Sequence, residues 1–229
     1  MKNLVLIGGG NQAHYTIDII EKENKYKIIG IIDSVHDVGG DRFGYKIIGR
    51  QENLIELIKE YNIEVGVISI GDNWSRYYVY NKIIEQVPNF EFANAIHPSV
   101  IIGNNVKLGM GVVAMAGCIF NPKAVIEDFT FFATGAQVEH DCYIGKFASI
   151  SAGSVTGGYV KLGKFSAITL GVTVIDRVEI GENTVVGAGS LVVKSLPDNV
   201  LAYGNPAKII RERIKGEKFL KWKQKILLN

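Results

Sequence analysis

A chain of 229 residues has room for one large or two modest domains, and 47% hydrophobic with 21% charged residues is the composition of a folded globular protein and not of a disordered one. A formal charge of only +2, with no apolar run near the roughly 20 residues of a membrane-spanning helix, excludes a strongly basic nucleic-acid binder and a helical membrane protein. Met1-Lys2-Asn3-Leu4 leads straight into a strand pattern without a cleavable signal, so a cytoplasmic protein is expected, with Cys118 and Cys142 as small core residues and no disulfide.

Residues 2–7 read as an apolar strand that runs into Gly8-Gly9-Gly10-Asn11-Gln12-Ala13, and Ile17 and Ile20 then lie on one face of a helix. Strand, glycine turn and helix together form a phosphate cradle in a doubly wound sheet. A strand over 26–32 ends at Asp33 and a polar loop follows. A helix around 52–61, a strand over 64–70 ending in Gly71-Asp72-Asn73, a helix to about residue 86 and a last strand near 90–95 complete the alternation of a small parallel sheet covered on both faces. The loop fits G-x-G-x-x-A, with Asp33 twenty residues beyond Ala13. Only about 95 residues precede the next pattern, too few for both halves of a dinucleotide fold, so a nucleotide or nucleotide sugar is expected in place of NAD. Gly10, Asn11, Gln12, Asp33, Ser34 and Gly71 stand at the carboxyl ends of the strands, where open sheets bind ligands. Arg76, one turn into the following helix, is a candidate source of positive charge, or an ordinary exposed arginine.

From Ile102 every sixth residue to Val192 is inward in character, sixteen positions in all, of which only Thr156 is polar. Two residues before each stands a second column, from Val100 to Ser190, that holds nothing larger than valine. Residues six apart leave a helix in different directions, whereas i and i−2 share a strand face, so the period belongs to short strands joined by corners. This is the signature of a hexapeptide parallel β-helix of about five coils. Gly103, Gly109, Gly145, Gly157, Gly163, Gly181 and Gly187 fall at the corners, where permissive backbone is expected.

His140 is set apart from His14, His36 and His97 because Ala136 and Val138 point inward, which puts His140-Asp141 on a corner with Pro122 and Gly158 as stacked neighbours. A neutral imidazole there is a proton acceptor at pH 7, with Asp141 or Glu139 to orient it; a surface histidine without a role is the alternative. From Lys208 to the end eight basic residues face two acids, and this tail is expected to form a helix, near a bound anion or with a solvated face.

The motifs Ile7-Gly8-Gly9-Gly10-Asn11-Gln12-Ala13, Asp33-Ser34, Ile70-Gly71-Asp72-Asn73, His97-Pro98-Ser99, Val138-Glu139-His140-Asp141-Cys142 and Gly204-Asn205-Pro206-Ala207-Lys208 resemble the nucleotide-sugar acetyltransferases of the bacterial sialic acid O-acetyltransferase and bacillosamine N-acetyltransferase type, over residues 1 to about 210. The resemblance implies an α/β plus all-β chain: a Rossmann-like nucleotide-sugar-binding domain (1–96), a left-handed β-helix acyltransferase domain (97–207) and a basic C-terminal helix (208–229). It further implies a homotrimer with active sites between prisms, acetyl-CoA as donor, and a UDP-, dTDP- or GDP-linked amino-deoxysugar as acceptor, for cell-surface glycan biosynthesis. By the same resemblance His140 is the general base and Asp141 its supporting acid. Gly10, Asn11, Gln12, Asp33, Ser34 and Gly71 hold the nucleotide sugar, and Leu170 and Gly189 contact CoA.

Two positions depart from the pattern, since relatives often carry a histidine in place of Ser149 and an asparagine in place of Ala133. If that histidine holds the thioester carbonyl, Ser149 does so by its hydroxyl or a backbone N–H does it alone, so Ser149 joins the expected cofactor-binding residues. Amine and hydroxyl acceptors are not separated by sequence, which keeps sugar O-acetylation as the alternative. An NAD-linked oxidoreductase is disfavoured by the short first domain and a zinc-dependent anhydrase by the lack of a third histidine, while a silent scaffold stays open through Ser149 and Ala133. No metal, nucleic acid or membrane partner is expected.

Overall fold

The computed structural model describes residues 1–219. The first domain is a five-stranded sheet built from β1 (Lys2–Ile7), β2 (Tyr26–Ile32), β3 (Asp41–Arg42), β4 (Tyr45–Gly49) and β5 (Val65–Ile68), in the order β3-β4-β2-β1-β5. All neighbours are parallel except the β3–β4 hairpin, which the polar stretch after Asp33 forms where a loop is expected from sequence. Helix α1 (Asn11–Glu23) covers one face of the sheet, and α2 (Leu54–Tyr61) and α3 (Asn73–Gln86) cover the other. The strand expected near 90–95 is reduced to one bridge between Phe92 and Gly66. Ala95–Ile96 instead pairs with Val113–Ala114 and so already belongs to the coil.

From there the chain winds as the left-handed parallel β-helix that the period demands, with two-residue strands paired to strands eighteen residues on, as in Phe120↔Val138. The first face runs from Ile101–Ile102 to Leu191–Val192, the second from Lys107–Leu108 to Glu179–Ile180, and the third begins with Ala95–Ile96 and carries the first domain. From Val112 to Val192 both inward columns are buried. Ile102 stays 46% exposed because no coil lies beneath it.

From Ile102 to Val192 the corners turn on residues with left-handed backbone. These are Asn105, Lys123, Asp141, Tyr159 and Arg177 between the first and second faces, Gly111, Phe129, Phe147, Phe165 and Asn183 between the second and third, and glycines, from Gly117 to Gly189, between the third and first. The glycines marked in the sequence serve another purpose, because a Cβ on Gly145 would lie 2.7 Å from the Lys164 nitrogen of the next coil. They permit close stacking, and the turn itself comes two residues later.

Helix α3 docks on the second-to-third corner. There Phe129, Phe147 and Phe165 stack with ring planes 8° apart and centroids 5.1 and 5.5 Å from one another, and Trp74 stacks on Phe165 at 4.1 Å. Arg76, the candidate ligand charge, is only 1% exposed. Its Nε donates to Phe129 O (2.7 Å) and its Nη2 to Phe147 O (3.1 Å) and Asn73 Oδ1 (3.0 Å), while Nη1 donates to Ile70 O (2.9 Å). Burial pulls its guanidinium down to about 9, against a small opposing pull from Asp72, which leaves it charged at neutral pH.

Past the last coil, Val200–Gly204 continues the third face and Ala207–Glu212 returns antiparallel to it. The expected helix from residue 208 is therefore a strand through Glu212, since its backbone groups find partners on Val200–Gly204 before any helical turn closes. Arg213 then donates to Asn183 O and Glu217 O, and Phe219 N donates to Asp72, which brings this segment back to α3 and away from a free prism end. Residues 220–229 of that expectation lie outside the described ones. No helix among the described residues is long and apolar enough to cross a membrane.

Arg76→Met retains the stem and removes the donors, which leaves several buried carbonyls unpaired at about 1 kcal/mol or more each. Urea denaturation is expected to show a loss of about 3 kcal/mol or more, against roughly 0.5 kcal/mol for a substitution on the exposed surface.

Candidate active site

Because β1 ends at Ile7 and the chain turns through Gly8 at φ 107° into α1, the helix begins at the carboxyl edge of the sheet. A side chain on Gly8 would meet Ile70 Cγ1 at 2.8 Å, so the turn has room only for glycine. No side chain caps α1, which leaves its first backbone N–H groups open toward a cavity of about 460 Å³. Gly10, Asn11, Gln12, Asp33, Ser34 and Gly71 all line this cavity, as their placement at the strand ends implies.

Asp33 lines the cavity with its carboxylate tied to the chain around it. Its Oδ2 accepts from Gly9 N (2.5 Å), and its Oδ1 from Val35 N (2.7 Å), His36 N (2.7 Å) and the His36 ring (2.9 Å). Burial raises the carboxyl pKa, but the hydrogen bonds from His36, Gly9 and Val35 outweigh it and hold the group below its ordinary value. The residue clamps the glycine loop to the end of β2.

A second cavity, about 300 Å³, lies between the first domain and the third-to-first corner. Gln12 and Gly71 line both cavities, and Ser149, Leu170 and Ala133 line the second. Gly189 falls in the same all-glycine corner column, with open space where a side chain would stand. The Gln12 Nε2 is buried and has no hydrogen-bond partner among the described residues, so the junction of the cavities holds a donor awaiting an acceptor.

Ser149 is 2% exposed; its Oγ donates to Asn73 Oδ1 (2.5 Å) and accepts from Arg76 Nη2 (3.3 Å). The hydroxyl expected to hold a thioester carbonyl thus donates its proton into the domain junction, while the residue still lines the second cavity.

His140 lies on the opposite side of the prism, at the first-to-second corner. Its Nδ1 is 2.9 Å from Asp141 Oδ2, its side chain is 49% exposed, and Tyr159 packs edge-on at 5.2 Å. With Nδ1 facing a carboxylate, the ring carries its proton there and presents Nε2 as a base. Thr156, the polar exception in the inward column, lies behind this corner, and its Oγ1 accepts the Glu139 N–H (3.2 Å), whereas one coil earlier the matching Asn121 N–H bonds to the Val138 carbonyl (2.8 Å). The irregularity is visible in the sequence as the one break in the column. Both thiols are free and buried; burial raises Cys142, and raises Cys118 to about 11, so neither is a nucleophile at neutral pH.

An α/β domain with a nucleotide-sized cavity, fixed to a hexapeptide coil that bears a corner histidine, defines the class of two-domain hexapeptide acyltransferases. Residues 3–83 match the family model described as the PglD N-terminal domain. PerB from Caulobacter crescentus, solved in complex with CoA and GDP-perosamine, is 35% identical over 92% of this chain and 98% of its own, with a TM-score of 0.85. The acetyltransferase domain of PglB from Neisseria gonorrhoeae, solved with acetyl coenzyme A, is 26% identical over 91% and 99%, with a TM-score of 0.83. A serine acetyltransferase of Buchnera aphidicola is 29% identical over 171 residues, and the chain spans about half its length, 54%. The chain belongs to the nucleotide-sugar acetyltransferase family with a hexapeptide-repeat β-helix.

Two substitutions test the geometry. A Cβ on Gly158 would lie 2.7 Å from His140 Nε2, so Gly158→Ala displaces the ring, and steady-state kinetics should show a loss of about 10-fold or more in kcat with the nucleotide cavity unaffected. For Asp33, the folded carboxyl lies below its unfolded value of 3.8, so its stabilisation is present above that value and lost as pH falls through the folded one. Asp33→Asn is expected to cost about 1–3 kcal/mol at pH 7 by urea denaturation, with the gap to the parent protein closing as pH falls below the ordinary carboxyl value.

Proposed function

We propose that the protein is an acetyl-CoA-dependent N-acetyltransferase acting on the amino group of a nucleotide-linked amino-deoxysugar, in cytoplasmic precursor synthesis for cell-surface glycans. The observation that carries the reading is the half-exposed His140 imidazole held through Nδ1 by Asp141. The neutral sugar amine attacks the acetyl carbonyl carbon, Nε2 of His140 takes the proton, and CoA leaves as its thiolate. Asp141 fixes the tautomer and stabilises the imidazolium that forms. No acyl-enzyme is needed, in keeping with the buried thiols.

The nucleotide sugar occupies the first cavity, where the uncapped α1 N-terminus faces its diphosphate. The second cavity and the open glycine corner around Leu170 and Gly189 accept the CoA chain. In a single chain His140 stands on the corner opposite the face that carries both cavities, so a homotrimer, in which one prism's His140 meets a neighbour's cavities, completes the site. A likeness to PerB, described as a GDP-perosamine N-acetyltransferase, supports an amine acceptor.

His140→Ala is expected to lower kcat by about 10²–10⁴ and leave nucleotide-sugar binding by calorimetry nearly intact, with Asp141→Asn costing less. Mass spectrometry of the product distinguishes an amide from an ester. Light scattering should give about three times the 25.1 kDa chain mass. Full turnover by His140→Ala, or a monomer that remains active, would remove this mechanism.

A further inference from the structure

Away from the glycine loop, the first cavity is walled by Ile7, Ile32, Ile70 and Val79. Aliphatic walls accept the two faces of a planar ring, whose edge then has to be read by polar groups. Three polar side chains that line the cavity are buried: Asp33, Ser69 and Gln51. The Asp33 carboxylate is taken up by its own loop and by Gly9, and Ser69 Oγ donates to Gly8 O at 2.8 Å.

Gln51 differs. It is 4% exposed, and its Nε2 donates to Val79 O at 3.0 Å. A carbonyl only accepts, so the amide orientation is fixed and the partner atom, Oε1, has to be an acceptor. Oε1 has no protein donor among the described residues and is not sealed from the cavity.

Resting on the nucleotide-sugar reading above, we propose that Gln51 is the base-reading residue of the first cavity: its Oε1 accepts the lactam or imide ring N–H of the nucleobase. Guanine N1–H and uracil or thymine N3–H supply that donor. Adenine and cytosine present a ring-nitrogen lone pair at the corresponding edge and would leave two acceptors face to face. A buried site built for one hydrogen bond rejects the analogue that lacks it more strongly than an apolar slot can.

Calorimetry of the full chain against GDP, UDP, dTDP, ADP and CDP tests this. The tightest of the first three should bind at least about 10-fold more tightly than ADP and CDP, and its analogue methylated on that ring nitrogen should lose a similar factor on the unaltered protein. Gln51→Met, which keeps the length and removes the acceptor, should bring the ratios to within about threefold of one another. ADP or CDP binding as tightly as the best of the first three overturns the inference, as does an unweakened methylated analogue. A Gln51→Met protein that loses affinity for all five equally also overturns it, since that is a structural effect. If no nucleoside diphosphate binds at all, the nucleotide-sugar reading itself fails and this inference with it.

Discussion

The arrangement of the molecule depends on one buried cation. Arg76 leaves α3, enters the corner of the coil and donates to backbone carbonyls of successive turns, with no carboxylate in hydrogen-bond contact. A charge placed this way is costly unless every donor is met, and once met it tolerates little displacement. The Phe129, Phe147 and Phe165 ladder supplies the apolar area around it, and Asn73, hydrogen-bonded to Phe165 O and Ser166 O, continues the same seam. The loop at Gly71 is held in turn, since Arg76 Nη1 also donates to its carbonyl, and that loop is a wall shared by both cavities. Domain docking and cavity shape are therefore one problem with one solution.

Within that frame the charged and neutral groups divide the work in an unexpected way. Asp33, at the position where a dinucleotide fold reads a ribose, accepts from the backbone of Gly9, Val35 and His36 and so holds the wall of the cavity it lines. Among the buried groups open to a ligand are two neutral amides: Nε2 of Gln12 where the two cavities meet, and Oε1 of Gln51 among aliphatic walls. Amides discriminate by donor and acceptor geometry more than by charge, which suits ligands that share a diphosphate and differ at base and sugar.

The coil imposes its own constraint on the chemistry. From Ile102 on, the corners turn on one residue in the left-handed region, and Asp141 is that residue beside His140, at φ 56°. Aspartate tolerates this backbone better than bulky side chains do. The carboxylate that orients the imidazole is thus fixed by a backbone turn, and Gly158 below gives the ring its space.

The sequence by itself determined the coil, its inward columns, the strand–helix alternation of the first domain, and the strand-end residues that line the first cavity, since each follows from periodicity or from neighbours a few residues apart. It marked Thr156 as an exception and His140 as a corner residue for the same reason. It left undecided what contacts between distant segments settle. Arg76 read as an exposed charge and is a rivet, Ser149 read as an acyl-site hydroxyl and is bound to Asn73 across 76 residues, and residues 208–212 read as helix and form a strand. A pattern of six is written in the chain because each coil repeats the same local geometry, whereas a hydrogen bond between domains leaves no period behind it. Only the tertiary structure decided those pairings, because the partner that satisfies a buried polar group is chosen by proximity in space and not by spacing along the chain.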